Sequence, residues 1–154
     1  MSDVMRWRYG DTNPVTAPVD SATVIEIGDL VYLETDDARP ASSQADLGTE
    51  AQNQEGFHDK FLGVAMQASR SGDTAPIRVA TSGVFEFITA SATYELGNLV
   101  GLVGATTLAD QDVKLVATEN LAVGRVAKRL NPVGTSVLVE IVSTVLRGGP
   151  QAMA

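Results

Sequence analysis

Between positions 24 and 146 the apolar residues come in short runs, and Gly, Asp, Asn, Ser or Pro bounds nearly every run on at least one side. The runs fall at 24–27, 30–34, 62–66, 77–81, 84–88, 99–103, 113–116, 121–127 and 137–146. They are rich in Val and Ile, whose branched side chains fit a pleated surface, so each predicts a β-strand. In the last run Val137, Val139 and Ile141 alternate with Leu138, Glu140 and Val142, which makes both faces apolar near its end. That pattern predicts a strand covered on both sides. With 14 glycines as punctuation, the fold class is mainly β: a small β-barrel or sandwich.

One stretch departs from this rhythm. Residues 42–61, SSQADLGTEAQNQEGFHDKF, carry helix formers and almost no β-branched residues. Thr49 is placed to cap a helix and Gln52 to complete a capping box, with Phe57, Phe61 and Leu62 as buried anchors. A short inserted helix is expected at about 45–61. Residues 1–23 show neither period, which predicts an extended N-terminal arm that packs poorly on itself. The organisation expected is therefore an arm at 1–23, a β-rich domain at 24–146 and a flexible tail at 147–154.

The pattern also repeats. Gly28-Asp29-Leu-Val returns as Gly97-Asn98-Leu-Val, Leu62-Gly63-Val64-Ala65 as Val123-Gly124-Arg125-Val126, and the run at 77 as the run at 137. The spacings are 69, 61 and 60 residues, so order is kept and the first linker is the longer. This is the signature of an internal pseudo-repeat with the helix inserted in its first copy. Gly accepts positive φ and Asp or Asn bonds its own backbone, so Gly28, Asp29, Gly97 and Asn98 read as structural turns.

Charge narrows the function classes. Eleven basic and 19 acidic residues give a net charge of −8, which disfavours duplex nucleic acid as a direct partner. No cysteine is present, so there is neither a disulfide framework nor a thiolate metal site. The N-terminus shows no secretory pattern, and the apolar runs are too short to span a membrane, so no membrane partner is expected. Ten acids crowd residues 20–60, whereas Arg125, Lys128 and Arg129 form a basic tract. Such asymmetry favours head-to-tail or oligomeric contacts, and solvated loop faces are the plainer alternative.

The catalytic inventory is thin. His58 is the sole histidine, reads as a surface residue, and stands beside Asp59 and Lys60 without a nucleophile. No nucleophile elbow, phosphate loop or zinc-helix motif occurs. The clusters Glu34-Thr35-Asp36-Asp37 and Asp110-Gln111-Asp112 offer oxygens to calcium, but Asp-rich turns arise for backbone reasons alone. No enzyme, catalytic residue, metal or cofactor is expected. A metal-dependent hydrolase built from Asp36, Asp37 and His58 is the reading this sets aside. In the arm, Trp7 either folds back as a core lid or, with Arg6, Arg8 and Tyr9, anchors the chain on a neighbour, supported by Asp11 and Asn13.

The succession GDLVYL, FLGVAMQ, PIRVATSGVFEF, ELGNLVGLVG, AVGRVAKRL and SVLVEIV resembles the tailed-bacteriophage capsid decoration (cement) proteins over residues 24–145. The resemblance implies a virion protein made in the host cytoplasm and placed on the outer capsid surface. There it would act, commonly as a homotrimer, to lock subunits of the major capsid protein together for head stabilisation. It carries no catalytic residue over. A carbohydrate-binding or adhesion module on a β-sandwich is the competing expectation.

Overall fold

The computed structural model describes residues 3–148. Eleven strands run in chain order: β1 (Trp7–Tyr9), β2 (Val15–Ala17), β3 (Leu30–Glu34), β4 (Asp37–Pro40), β5 (Phe61–Ala65), β6 (Ile77–Ala80), β7 (Ser82–Tyr94), β8 (Leu99–Leu102), β9 (Asp112–Leu115), β10 (Gly124–Val126) and β11 (Leu130–Val142). Helix α1 (Glu50–Lys60) separates β4 from β5, and the short α2 (Thr144–Arg147) follows β11. Single 3-10 turns lie at Ala41–Ser43 and Glu119–Leu121.

The strands form two sheets of one design. The first has the order β2-β6-β5-β3-β4, and the second β7-β11-β10-β8-β9 with β1 added outside β7. Strand for strand the connectivity is the same, so β2–β6 and β7–β11 are two copies of one five-stranded unit. In the second unit β9 also pairs in parallel with β7, Ile88 opposite Asp112 and Thr89 opposite Val113, which closes a five-stranded barrel. In the first, the Ala38 N–H donates to the Pro18 carbonyl at 2.9 Å and joins β4 to the end of β2.

The two turns of the repeat match bond for bond. Gly28 and Gly97 have φ of 98° and 87°. The Asp29 side chain accepts from the Glu26 N–H at 2.9 Å, and Asn98 accepts from the Glu95 N–H at 2.8 Å. Gly28 donates to the Ala65 carbonyl and Gly97 to that of Val126, both at 2.9 Å.

Alternation along β3 explains how the units join. Val31 points into the first unit among Ile25, Leu62, Ile77 and Val79. Leu30 and Tyr32 point the other way, into a core shared with Phe85, Val100 and Val139 of the second unit. Tyr32 meets Phe57 of α1 edge-on at 5.9 Å, and Phe57 meets Phe61 at 5.5 Å. Each fully buried aromatic contributes about 1.5–3 kcal/mol of transfer free energy.

Helix α1 is a bracket between the units. Thr49 caps it as expected, accepting from the Gln52 N–H at 3.2 Å; the Gln52 side chain accepts from the Thr49 hydroxyl instead of returning to the cap's backbone. From the helix, Gln54 Nε2 donates to the Leu102 carbonyl at 2.8 Å and Asn53 Nδ2 to that of Ala105 at 3.2 Å. Glu50 accepts from Lys114 and from the Gly104 N–H, and those two donors hold its carboxyl below the usual range.

Several expectations are corrected. The arm is extended and packs on the β-rich domain instead of on itself, so it is not separate from that domain: β1 lies on β7, β2 lies on β6, and Arg6 is buried. Residues 24–27 are not a strand, because only Ile25 pairs, with Ser69, before the Gly28 turn begins. The run at 137–146 ends its strand at Val142, where Ser143 caps α2 and Gly148 stops it in a left-handed conformation. Of the expected flexible tail at 147–154, Arg147 is the last residue of this helix and Gly148 its cap, and residues 149–154 are outside the described residues. Conversely β7 and β11 are 13 residues each, longer than their apolar runs.

Candidate docking surface

The arm residues singled out by sequence divide into two groups: Arg6, just before β1, is buried, and the three residues of β1 are exposed. Arg6 turns inward. Its Nε donates to Gln111 Oε1 at 2.6 Å, and Gln111 Nε2 donates in turn to Asp29 Oδ1 at 2.8 Å. All three side chains are buried. Burial pulls the Arg6 guanidinium below its usual pKa, while the nearby Asp112 and Glu86 carboxylates resist that shift. Asp29 is raised to about 6, chiefly by burial, against the opposing bonds from Gln111 and the Glu26 N–H. The chain Arg6–Gln111–Asp29 therefore fastens the arm and β9 to the first turn of the repeat.

Trp7, Arg8 and Tyr9 face outward. Trp7 is 41% exposed and Tyr9 52%, so the indole is no core lid. Its Nε1 donates to the Gly10 carbonyl at 3.0 Å, which lays the ring along the strand. Arg8 reaches over to Glu86 at 2.7 Å, and Ser136 donates to the other Glu86 oxygen at 2.9 Å. Arg8 first, then Ser136, lowers the Glu86 pKa. Strand β1 is outermost in its sheet.

Asp11 and Asn13 pin the end of the arm. Asp11 accepts from the Asn13 N–H, Asn13 Nδ2 donates to Ser82 Oγ at 2.8 Å, and the Thr81 hydroxyl donates to the Asn13 carbonyl at 2.7 Å. Beside Tyr9, a surface groove of about 340 Å³ runs between β1 and β11, walled by Arg8, Glu86, Lys128, Arg129 and Leu138. Lys128 and Arg129 of the basic tract thus border the arm. Arg125 lies elsewhere, opposite Glu140 on β10, with its guanidinium 3.9 Å from Glu119.

The candidates for chemistry are not brought together. His58 is buried, not a surface residue: its Nδ1 donates to the Ala122 carbonyl at 2.7 Å, so it ties α1 to the second unit. Asp36 and Asp37 are at the β3–β4 hairpin, and among the described residues no three His, Cys, Asp or Glu side chains are grouped to hold a metal. Asp110 accepts from the Ser42 N–H and hydroxyl, which occupies both its oxygens. No described helix is long and apolar enough to cross a membrane.

Sequence reasoning did not single out Glu86, Ser136 or Leu138, which complete the groove; each is an outward position on a strand whose inward neighbours carried the pattern. No protein-family model matches the chain, and neither a curated protein nor a solved structure matches it.

Proposed function

We propose that the chain is a non-enzymatic structural protein that docks on the outer surface of a tailed-phage capsid and stabilises the lattice of major capsid subunits. The observation that carries the reading is strand β1: an outermost strand, fastened from beneath by Arg6 and Gln111, that presents Trp7, Arg8 and Tyr9 to solvent. Exposed aromatic and Arg side chains on a rigid support are the composition of interface hot spots. An outermost strand can also add to a neighbour's sheet edge through its free backbone groups. A protein that binds only the assembled lattice stabilises it in proportion to ln(1 + [L]/Kd). A homotrimer would multiply weak contacts through effective concentration.

The test is binding of the purified chain to mature heads stripped of it, with bound copies counted per capsomer. Saturation at a fixed symmetric ratio is expected, as is loss of binding in a Trp7→Ala/Tyr9→Ala variant of unchanged melting temperature. Unchanged binding by that variant refutes the role of β1. The two exposed aromatics also favour a second reading, a carbohydrate-binding or adhesion module, because sugars stack on such rings. Reproducible hits on a glycan array, with no binding to heads, would select it.

A further inference from the structure

The groove beside Tyr9 and the tip of the β3–β4 hairpin are complementary in charge. In the groove Arg8, Lys128 and Arg129 surround one carboxylate, Glu86, whose two oxygens are already taken by Arg8 and Ser136. Among the described residues Lys128 makes no ion pair, and the Arg129–Glu95 pair joins groups that are 62% and 61% exposed, where such pairs hold little. The groove is thus a basic surface on a chain of net charge −8. At the hairpin, Glu34, Asp36 and Asp37 put three carboxylates within four residues. Of the three, only Glu34 has an ion-pair partner among the described residues, Lys60 at 3.3 Å.

Both features are largely missing from the other copy. Lys128 and Arg129 follow β10 where Gln67 and Ala68 follow β5. Glu34 and Asp36 of the acidic tip stand where Val103 and Ala105 follow β8, and Asp37, which opens β4, is matched by Asp112, which opens β9. Since the same fold is built without Lys128, Arg129, Glu34 and Asp36 in the other unit, the fold does not require those four charges. Apolar character matches as well. Asp36 borders a second groove of about 290 Å³ lined by Val15, Leu33, Leu62, Val145 and Leu146, of which Val145 and Leu146 are 40% and 50% exposed.

We infer that the occupant of the basic groove is a second copy of this chain, entering with the Glu34–Asp37 hairpin tip. Groove and tip belong to different units of one chain, so the contact is heterologous, and copies join head to tail into a closed ring if the rotation permits. Facing Lys128 and Arg129 from the partner are Asp36 and Asp37, while Tyr9 and Leu138 of the groove meet the apolar rim beside Asp36. The contact goes beyond the capsid reading and stands on the free chain, so it can fail while that reading holds.

The experiment is sedimentation velocity on the full chain and on two charge reversals, Asp36→Lys/Asp37→Lys and Lys128→Glu/Arg129→Glu, in low and high salt. The wild type is expected to self-associate, more weakly in high salt. Each reversal alone should weaken association by at least about tenfold, and a one-to-one mixture of the two should restore it, because each tip then meets an opposite groove. A folded wild type that stays monomeric, or a reversal that associates like wild type, overturns the proposal. So does a mixture that behaves as its separate components. Monomeric wild type combined with loss of head binding in Lys128→Glu/Arg129→Glu would assign the groove to the capsid instead. If a reversal does not fold, Asp36→Asn/Asp37→Asn and Lys128→Gln/Arg129→Gln replace it, with weakened association in each as the expected result.

Discussion

Replacing Asp29 by Asn tests the buried chain that fastens the arm. Asn98 occupies the equivalent turn and accepts the same backbone bond, from Glu95 at 2.8 Å, so the turn needs an Asx side chain but not a charge. Asp29 carries its charge into a buried position, and burial raises its pKa from 3.8 to about 6. A carboxyl with a raised folded-state pKa holds its proton more tightly when native than when unfolded. Its favourable contribution is fully present below pH 3.8 and is lost as pH rises through about 6. A rise of that size corresponds to about 3 kcal/mol, which solvent screening reduces to about 2 kcal/mol.

Asp29→Asn removes this titration. It also removes an acceptor from Gln111, at a cost of about 1.5 kcal/mol that is the same at every pH, because the pH-dependent part of that bond is already contained in the Asp29 shift. Near neutrality this cost offsets most of the about 2 kcal/mol by which burial of the ionised carboxylate disfavours the wild type, so the variant should be close to wild type there. Toward acid the wild type gains on the variant. Asp3, Glu50 and Glu86, whose carboxyls are lowered by Arg70, Lys114 and Arg8, lose stabilisation in acid in both proteins and cancel in the difference. The assay is urea unfolding of both proteins at steps from about pH 4 to about pH 7.5. The stability gap should change by about 2 kcal/mol in favour of wild type as pH falls. A gap that stays constant across the range would refute the assignment of a buried, proton-binding Asp29.

Gly28→Ala and Gly97→Ala form a matched pair, because the turns share φ and hydrogen bonds but not surroundings. A Cβ at Gly97 meets nothing within 4 Å, so only left-handed strain of about 1 kcal/mol is expected. At Gly28 it runs into the Val4 carbonyl and the Arg6 side chain, so chemical denaturation should show a loss larger by about 2 kcal/mol, and equal losses would deny the packing of the arm. Phe57→Ala removes a fully buried ring from the junction of α1 with Tyr32 and Phe61 and should cost about 3–5 kcal/mol by thermal or urea unfolding.

The repeat was legible because glycine marked it. Gly28 and Gly97 have positive φ, and Gly63 and Gly124 let β5 and β10 approach the Ala80 and Glu140 carbonyls; three of the four leave no room for a side chain and Gly97 favours glycine through its left-handed φ alone, so they stood out against common apolar residues. The helix was legible through Thr49. Strands β1 and β2 were not, because three residues are too few to show a period and tertiary pairing, not pattern, makes them strands. His58 was misplaced for a related reason: polar neighbours suggested solvent, whereas its partner is a backbone carbonyl 64 residues away that no sequence pattern announces. The buried role of Asp29 had a faint signal, the contrast of Asp with Asn at otherwise matching turns. The groove had only part of one: its arm and basic-tract residues stood out, but its walls come from β1, β7, β11 and the connection before β11 and meet only in the folded chain.

The same contrast between copies explains why the two units form one folding entity. In the first unit Val64 pairs with Ala80, and both are buried at the junction. At the equivalent positions of the second unit Arg125 pairs with Glu140, and both are exposed. Tyr32, which meets Phe57 at the junction, is matched by Gly101, where any side chain would strike the Leu121 carbonyl. Two units packed about a dyad would bury the same face twice. Here one copy buries the face that the other keeps in water, so the first unit packs on a different side of the second. The two copies share one strand order, and the difference at three outward positions decides which is covered. The first unit alone would expose Leu30, Tyr32, Val64 and Ala80 on one face, an apolar surface that water does not favour. Its stability therefore depends on the second unit and on the α1 bracket, and so does the support beneath β1: Gln111 belongs to the second unit, Asp29 to the first, and Arg6 is held only where they meet.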